Sequence, residues 1–373
     1  MPTISLTDKR PVWPAIKRYF AVFDGTLALI VFLILATSTV TMYSAGMDFP
    51  GRLEDHLRNI ALSFVVLWIA AIIPPQTLMR FALPIYTVGV ALLVAVALFG
   101  IIKKGAQRWI NIGVVIQPSE IMKIATPLML AWYFQKRETL IRWTDFLVAG
   151  ILLMIPVALI MEQPDLGTAL LVMAAGFYVI FLAGLPWKII IGLVLAGAAF
   201  LPVGWSMMHD YQRQRVMTLL DPTSDPLGKG FHIIQSMIAI GSGGAMGKGW
   251  MNGTQGHLQF IPERTTDFIF AVFSEEFGLV GNTVLLVLYL LLIGRGLMIA
   301  ANAPTLFSRL LAGALTLMFF TYAFVNMGMV SGILPVVGVP LPFMSYGGTA
   351  FVTLGLGVGI LMSIQRHRKL VQS

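Results

Sequence analysis

The chain has 373 residues, of which 57% are apolar types and only 11% are Asp, Glu, Lys or Arg. A soluble domain carries about 25% charged residues, so disorder, collagen, a coiled coil and an ordinary cytosolic enzyme are excluded; a polytopic membrane protein remains. The net charge of +8 points in such a chain to positive-inside bias and an anionic lipid ligand rather than to nucleic acid, and the absence of cysteine removes disulfides and thiolate chemistry.

In chain order, ten apolar runs are candidates to cross a bilayer as helix. They are 26–43, 60–73, 81–101, 119–134, 146–161, 166–184, 188–207, 268–293, 309–330 and 349–364. Pro84, Pro127, Pro156 and Pro202 interrupt four of them. The first run is too long for a signal peptide's apolar region. The fold expected is an all-α polytopic membrane protein with ten spans in one integral domain, residues 1–373. Ten spans put both termini on one side. The segments on that side hold fourteen Lys and Arg, among them Lys9, Arg18, Arg137, Arg142, Arg295 and Arg366, against five in the short loops opposite. Both termini are therefore expected in the cytoplasm, with the long 208–267 loop outside. Lys103, Lys104 and Arg108 break the bias, either as a tolerated exception or as a basic collar that meets an anion at the outer leaflet.

Charge within or beside a span is costly and marks candidate sites. Glu120 and Lys123 open the fourth run at i,i+3 spacing, so they share a face and can pair. They read either as a structural ion pair or as a pair facing a polar cavity. Asp165 follows Pro164 at a tight turn, as a helix cap or as a carboxylate lining a cavity. Asp267 sits where the long loop enters the membrane, four residues after Glu263. It is either an acid in a first helical turn or a partly desolvated general base. Glu275 and Glu276 lie deeper in the same run and need partners or a wet cavity.

The long loop carries Arg213 and Arg215, the Asp221–Gly230 stretch, and an amphipathic helix over 231–240 with His232, Gln235 and Ser236. Gly241–Gly249 follows. That glycine run is either a tightly turning loop or a phosphate cradle of backbone N–H groups. It is not a P-loop, because Ser242 stands at the first glycine position and Gly249 follows Lys248. Residues 334–348, uncharged and rich in Pro and Gly, cannot be continuous helix. Apolar irregular backbone of this kind fits a re-entrant segment before the tenth span. Gly355 and Gly359 give a GxxxG spacing suited to helix packing. The five histidines show no metal-ligand spacing.

The stretches Gly105–Ile110, Gln117–Lys123, Gln163–Ala169, Asp221–Gly230, Thr266–Phe270, Glu275–Gly278 and Pro335–Thr349 together resemble the SEDS family (shape, elongation, division and sporulation). The likeness runs in order along nearly the whole chain. Ile238–Gly244, Gly247–Gly249 and Gly253–Gln255 resemble its elongation branch more than its division branch. The resemblance implies a ten-span peptidoglycan glycosyltransferase of the bacterial plasma (inner) membrane. It would polymerise lipid II into a glycan strand at the outer face, beside a class B penicillin-binding protein that crosslinks the product. The family's catalytic acid maps onto Asp267.

In the mechanism expected on this basis, Asp267 removes the proton of the acceptor GlcNAc 4-hydroxyl. Arg108 and Lys123, with Lys248 and Arg215 as further candidates, meet the charge of the leaving diphosphate. Glu120 positions Lys123, and Asp165 orients sugar hydroxyls or helps hold a divalent cation (Mg or Mn), whose requirement is left open. Trp109, Gln235, Glu263 and Ser345 complete the candidate substrate-binding set. The transfer inverts the anomeric centre. The alternatives are a lipid II flippase that uses the intramembrane charges and a non-catalytic scaffold for the transpeptidase.

Overall fold

The computed structural model describes residues 23–103, 106–111, 113, 115–208, 210–221, 229–257, 260–261 and 263–371. Lys9, Lys17, Arg18, Lys104 and most of the Asp221–Gly230 stretch lie outside the described residues. The long helices are α1 Gly25–Ala45, α2 Arg52–Ile72, α3 Pro75–Phe99, α4 Pro118–Lys136, α5 Trp143–Met161, α6 Leu166–Leu182 and α7 Trp187–Met207. Two shorter helices in the long loop, α8 Asp210–Leu220 and α9 Lys229–Ser242, and the single turn α10 Thr254–His257 come next. The chain closes with α11 Ile269–Ala301, α12 Leu306–Val330 and α13 Gly348–Val371.

Each of the ten apolar runs is a helix, and eight helices are long and apolar enough to cross a membrane. The other two are α4, whose apolar content is diluted by Glu120, Lys123, Gln135 and Lys136, and α6, which has 17 residues. Both lie in the middle of the bundle against α12. α12 is buried along most of its length, whereas no residue of α7 is buried.

The expectation of an all-α chain needs one correction. Between α3 and α4 a small antiparallel sheet forms from β1 Ile101–Lys103, β2 Ala106–Asn111 and β3 Val115–Ile116. The segments here are too brief for helix and pair antiparallel, β1 with β2 and β2 with β3. After β2 the Asn111 side chain accepts from Gly113 N at 3.0 Å.

The prolines need a second correction, since Pro84, Pro127, Pro156 and Pro202 lie inside continuous helices. A helical proline orphans the carbonyl four residues earlier, and in an apolar medium that oxygen must find another donor. For Pro156 this oxygen belongs to Leu152, and the Tyr86 hydroxyl of α3 donates to it at 2.6 Å.

Small residues set the closest helix contacts. α13 lies along α2, and a Cβ at Gly355 or Gly359 would come within 2.6 Å of Ser63 O or 2.5 Å of Leu67 O. The GxxxG spacing is thus used in packing within the chain. One end of the bundle joins Asp24 to Arg295, Gln135 to Phe307 N, and Ser363 to Ile73 O. The other end carries the sheet, the starts of α4, α6 and α11, and the irregular segment before α13.

Candidate functional site

At that second end a cavity of about 830 Å³ opens among α4, α6, α9, α11 and the segment before α13. Its wall holds six of the candidates, namely Arg108, Trp109, Glu120, Asp165, Glu263 and Asp267. It also holds Gln117, His232, Thr266 and Tyr346, which were in view in the sequence but were not singled out as site residues.

Asp267 lies in a turn that precedes α11, whose N-cap is Phe268. It is therefore not an acid of the first helical turn. The turn is held by Thr266 N and Phe268 N, which donate to Glu263 O at 3.1 and 3.2 Å, and by Thr266 Oγ1, which donates to the Glu263 carboxylate at 2.8 Å. Arg264, buried behind it, donates to the carbonyls of Ala45 and Gly256 and pairs with Asp48. Asn326 of α12 fixes the other side. Its Nδ2 donates to Asp267 O at 2.9 Å and to Val339 O at 2.7 Å. One buried amide thus ties the acid's own backbone to the irregular segment. Gly338 has φ +77°, and a Cβ there would sit 3.4 Å from Asp267 Oδ2. The positive φ and the adjacent carboxylate both favour glycine.

Across the cavity β2 presents Arg108 and Trp109. The Arg108 guanidinium donates to the carbonyls of Gln163 and Pro164 and lies 3.7 Å from Asp165 Oδ1. Asp165 caps α6 by accepting from Thr168 N at 3.3 Å and also accepts from Gln117 Nε2 at 3.1 Å. It is both a cap and a wall of the cavity, so the two sequence readings hold together. The irregular segment forms another side. Tyr346 N donates to Thr265 O at 2.8 Å, and Arg52 lies 4.2 Å over the Tyr346 ring.

Four further candidates lie elsewhere. Lys123 is only 2% exposed, pairs with Glu120 at 2.6 Å and sits 5.2 Å from the Tyr322 ring. Glu120 faces the cavity and Lys123 stands behind it, so Lys123 reaches a ligand only through Glu120. Lys248 pairs with the fully buried Glu275 at 2.6 Å. Gln235 is on α9 outside the cavity wall. Ser345 is buried and accepts from Leu341 N at 2.8 Å, which bends the segment rather than facing a substrate. Of Arg215 only its place on α8 is described, and of Lys103 only its place on β1.

The glycine run also turns out differently from a phosphate cradle. Most of its N–H groups are spent inside the protein, with Lys248 N and Gly249 N donating to Glu275 O and Glu276 O at 3.0 Å each. α11 kinks there at Gly278, whose φ of 63° and ψ of −160° suit only glycine. A Cβ at Gly247 would lie 2.1 Å from Glu276 O. The two glycines let two backbones touch.

The cavity is rich in carboxylate oxygen, with Arg108 as its one Lys or Arg among the described residues. Oxygen donors suit Mg or Mn. Among the described residues no three acids or histidines converge as a ready ligand set. A divalent cation would therefore take most of its ligands from a substrate diphosphate and water.

The fold and the site together define a helical membrane protein with an acid-rich, Arg-bearing cavity at one end of its bundle. A family profile described as cell cycle protein, of the FtsW, RodA and SpoVE type, matches residues 17–370. The chain belongs to this family, the SEDS family. The peptidoglycan glycosyltransferase MrdB of Escherichia coli (strain K12) is 51% identical over 366 residues, 98% of each chain. The peptidoglycan glycosyltransferase RodA of Treponema pallidum (strain Nichols) is 31% identical, over 93% of this chain and 98% of its own. Among solved structures, a chain from a peptidoglycan synthase complex that coordinates polymerization and crosslinking superposes with a TM-score of 0.80 at 34% identity, over 93% of this chain and 98% of that one. The rod shape determining protein RodA of Thermus thermophilus superposes with a TM-score of 0.71 at 29% identity, over 93% and 97%.

Proposed function

We propose that this protein is a peptidoglycan glycosyltransferase that polymerises lipid II into glycan strands during cell elongation, with Asp267 as general base. The observation that carries the chemistry is the Asp267 carboxylate, held on the wall of a cavity that also presents Arg108. Near full-length identity to proteins of that activity supports the reaction class.

A sugar 4-hydroxyl is a weak nucleophile, and a positioned carboxylate accepts its proton as the new bond forms. The leaving diphosphate gathers negative charge, and Arg108 meets it. Glu120, backed by Lys123, and Asp165, backed by Gln117, keep fixed orientations toward the sugars. Asp165 would help hold a divalent cation, most of whose ligands would come from the diphosphate and water and whose contribution would be to neutralise the diphosphate. Attack opposite the leaving group inverts the anomeric centre.

The proposed setting follows the same logic. The chain is one integral membrane domain of ten spans, α1–α7 and α11–α13, in the bacterial inner membrane. Both termini are cytoplasmic, the cavity opens on the extracytoplasmic face, and the segment before α13 is re-entrant. Lipid tails lie in grooves between spans. The partner is a class B penicillin-binding protein, in keeping with the synthase complex to which one similar structure belongs. A flippase would need one continuous path of intramembrane charge. Here each of these charges is already engaged, Glu120 by Lys123, Glu275 by Lys248 and Glu276 by the Ser44 hydroxyl.

The test is polymerisation of purified lipid II by the full chain with its partner transpeptidase, the partner's catalytic serine being inactivated. Wild type is expected to make polymer. Asp267→Asn and Asp267→Ala, folded and still complexed, are expected to lose at least about 100-fold in rate. Undiminished polymer from both variants would remove Asp267 from the chemistry, and no polymer from wild type would remove the reaction itself.

A further inference from the structure

A second polar pocket lies at the opposite end of α4 from the candidate site. α4 runs 19 residues from Pro118 to Lys136, about 28 Å at 1.5 Å per residue, which is close to the hydrocarbon thickness of a bilayer. At its far end Tyr133, Lys136 and Arg137 line a cavity of about 410 Å³ together with Arg142, which caps α5, and Thr144 and Asp145 of its first turn. We propose that this pocket binds the headgroup phosphate of an anionic phospholipid in the cytoplasmic leaflet. The inference uses the orientation proposed above but not the chemistry at Asp267.

Charge is the first argument. Three cations share the pocket with one carboxylate, and that carboxylate is already engaged. Asp145 is buried, and its Oδ1 accepts from Tyr133 OH at 2.9 Å while its Oδ2 accepts from Arg142 N at 2.8 Å. Arg137 stands 3.7 Å from Asp145, a loose contact with more than half of its side chain exposed. The nearby Glu138 is bonded by Gln135. No carboxylate among the described residues lies within ion-pair distance of Lys136 or Arg142. The pocket therefore keeps a net positive charge that a phosphate can neutralise, with guanidinium groups suited to its oxygens.

The second argument separates a lipid from a soluble phosphate. Below the pocket α5 exposes Val148, Ile151 and Ile155. Their i, i+3, i+7 spacing makes one apolar stripe running away from the cations. Leu140 and Trp143 are exposed at the rim, where aromatic side chains sit in a membrane interface. A headgroup in the pocket places acyl chains on that stripe, whereas inorganic phosphate has no use for it.

The test uses the full chain in vesicles of phosphatidylcholine with a fluorescent phosphatidylglycerol or phosphatidylcholine probe. Wild type should prefer phosphatidylglycerol. The double variant Lys136→Gln, Arg142→Gln should lose about 30-fold in affinity for it and keep its phosphatidylcholine binding. Arg309→Gln, an exposed cation at the same end of the bundle, should change the preference by less than about twofold. The proposal is overturned if wild type shows no preference, or if Arg309→Gln weakens binding as much as the double variant, which would mean diffuse surface charge. Displacement of the lipid probe by inorganic phosphate at equal headgroup concentration would also overturn it in favour of a soluble anion.

Discussion

Asn326 shows how one buried side chain can position a carboxylate that it never touches. Its amide holds the backbone carbonyls of Asp267 and Val339 together. Asn326→Ala would leave both oxygens without that donor, at a cost of about 2–4 kcal/mol. Thermal unfolding of the detergent-solubilised protein should register that loss. The rate of lipid II polymerisation should fall more than its KM changes, because the acid moves while the rest of the cavity remains. Arg108 lines the same cavity as Asp267, and in the proposed reaction it meets the leaving diphosphate. Arg108→Gln should slow polymerisation by about 100-fold, with Arg108→Lys recovering part of it, since a point charge replaces a planar fork. A single-turnover assay that isolates bond formation checks this, and an unchanged rate in Arg108→Gln would remove it from the transition state.

At the scale of elements, the start of α11, up to its kink at Gly278, lies in close backbone contact with the glycine run. Gly243–Gly249 packs backbone to backbone against Ser274–Gly278. Glu275 anchors the pair of segments by accepting from Lys248 Nζ, Thr254 Oγ1, Thr254 N and Gln255 N. Gly278→Ala would place a Cβ 2.3 Å from Gly247 N at a backbone geometry that only glycine adopts. Such a variant should be destabilised by about 3 kcal/mol or more and give little folded protein in detergent. Glu275→Ala removes a fully buried partner of four donors, and about 3–5 kcal/mol should go with it. Lys248→Met should cost less, because that ammonium is partly exposed and Glu275 keeps three donors. If the two single variants cost the same in a thermal melt, the network is not organised around Glu275.

For the whole molecule, the orientation is directly testable because the chain has no cysteine. A single Val115→Cys at the exposed edge of the sheet should react with a membrane-impermeant maleimide added outside intact cells. Asn302→Cys, exposed between α11 and α12, should react only after permeabilisation. The reverse pattern would invert the proposed topology and put the cavity in the cytoplasm.

Much of this protein can be read from its residues alone. Long apolar runs must be helices where no water can satisfy the backbone, so all ten apolar helices were visible, eight of them long and apolar enough to cross a membrane. Acids at or just before helix starts, Asp165 and Asp267 among them, stood out because charge is rare in such a chain. Glu120 and Lys123 showed their pairing through helical spacing. Which faces those helices bury was not visible. In a soluble helix polarity separates the core face from the water face, but lipid is as apolar as a protein core, and Leu on either side looks the same. Only the tertiary structure, therefore, decided that α4, α6 and α12 form the centre and that α7 stands nearly free. It also decided that Lys248 belongs to Glu275 rather than to a substrate, and that the glycine run meets a helix rather than a phosphate. His232, Tyr346 and Asn326 reach Asp267 or its cavity from separate parts of the chain. No spacing in a sequence records such a meeting, because it is set by how the helices pack and not by their order.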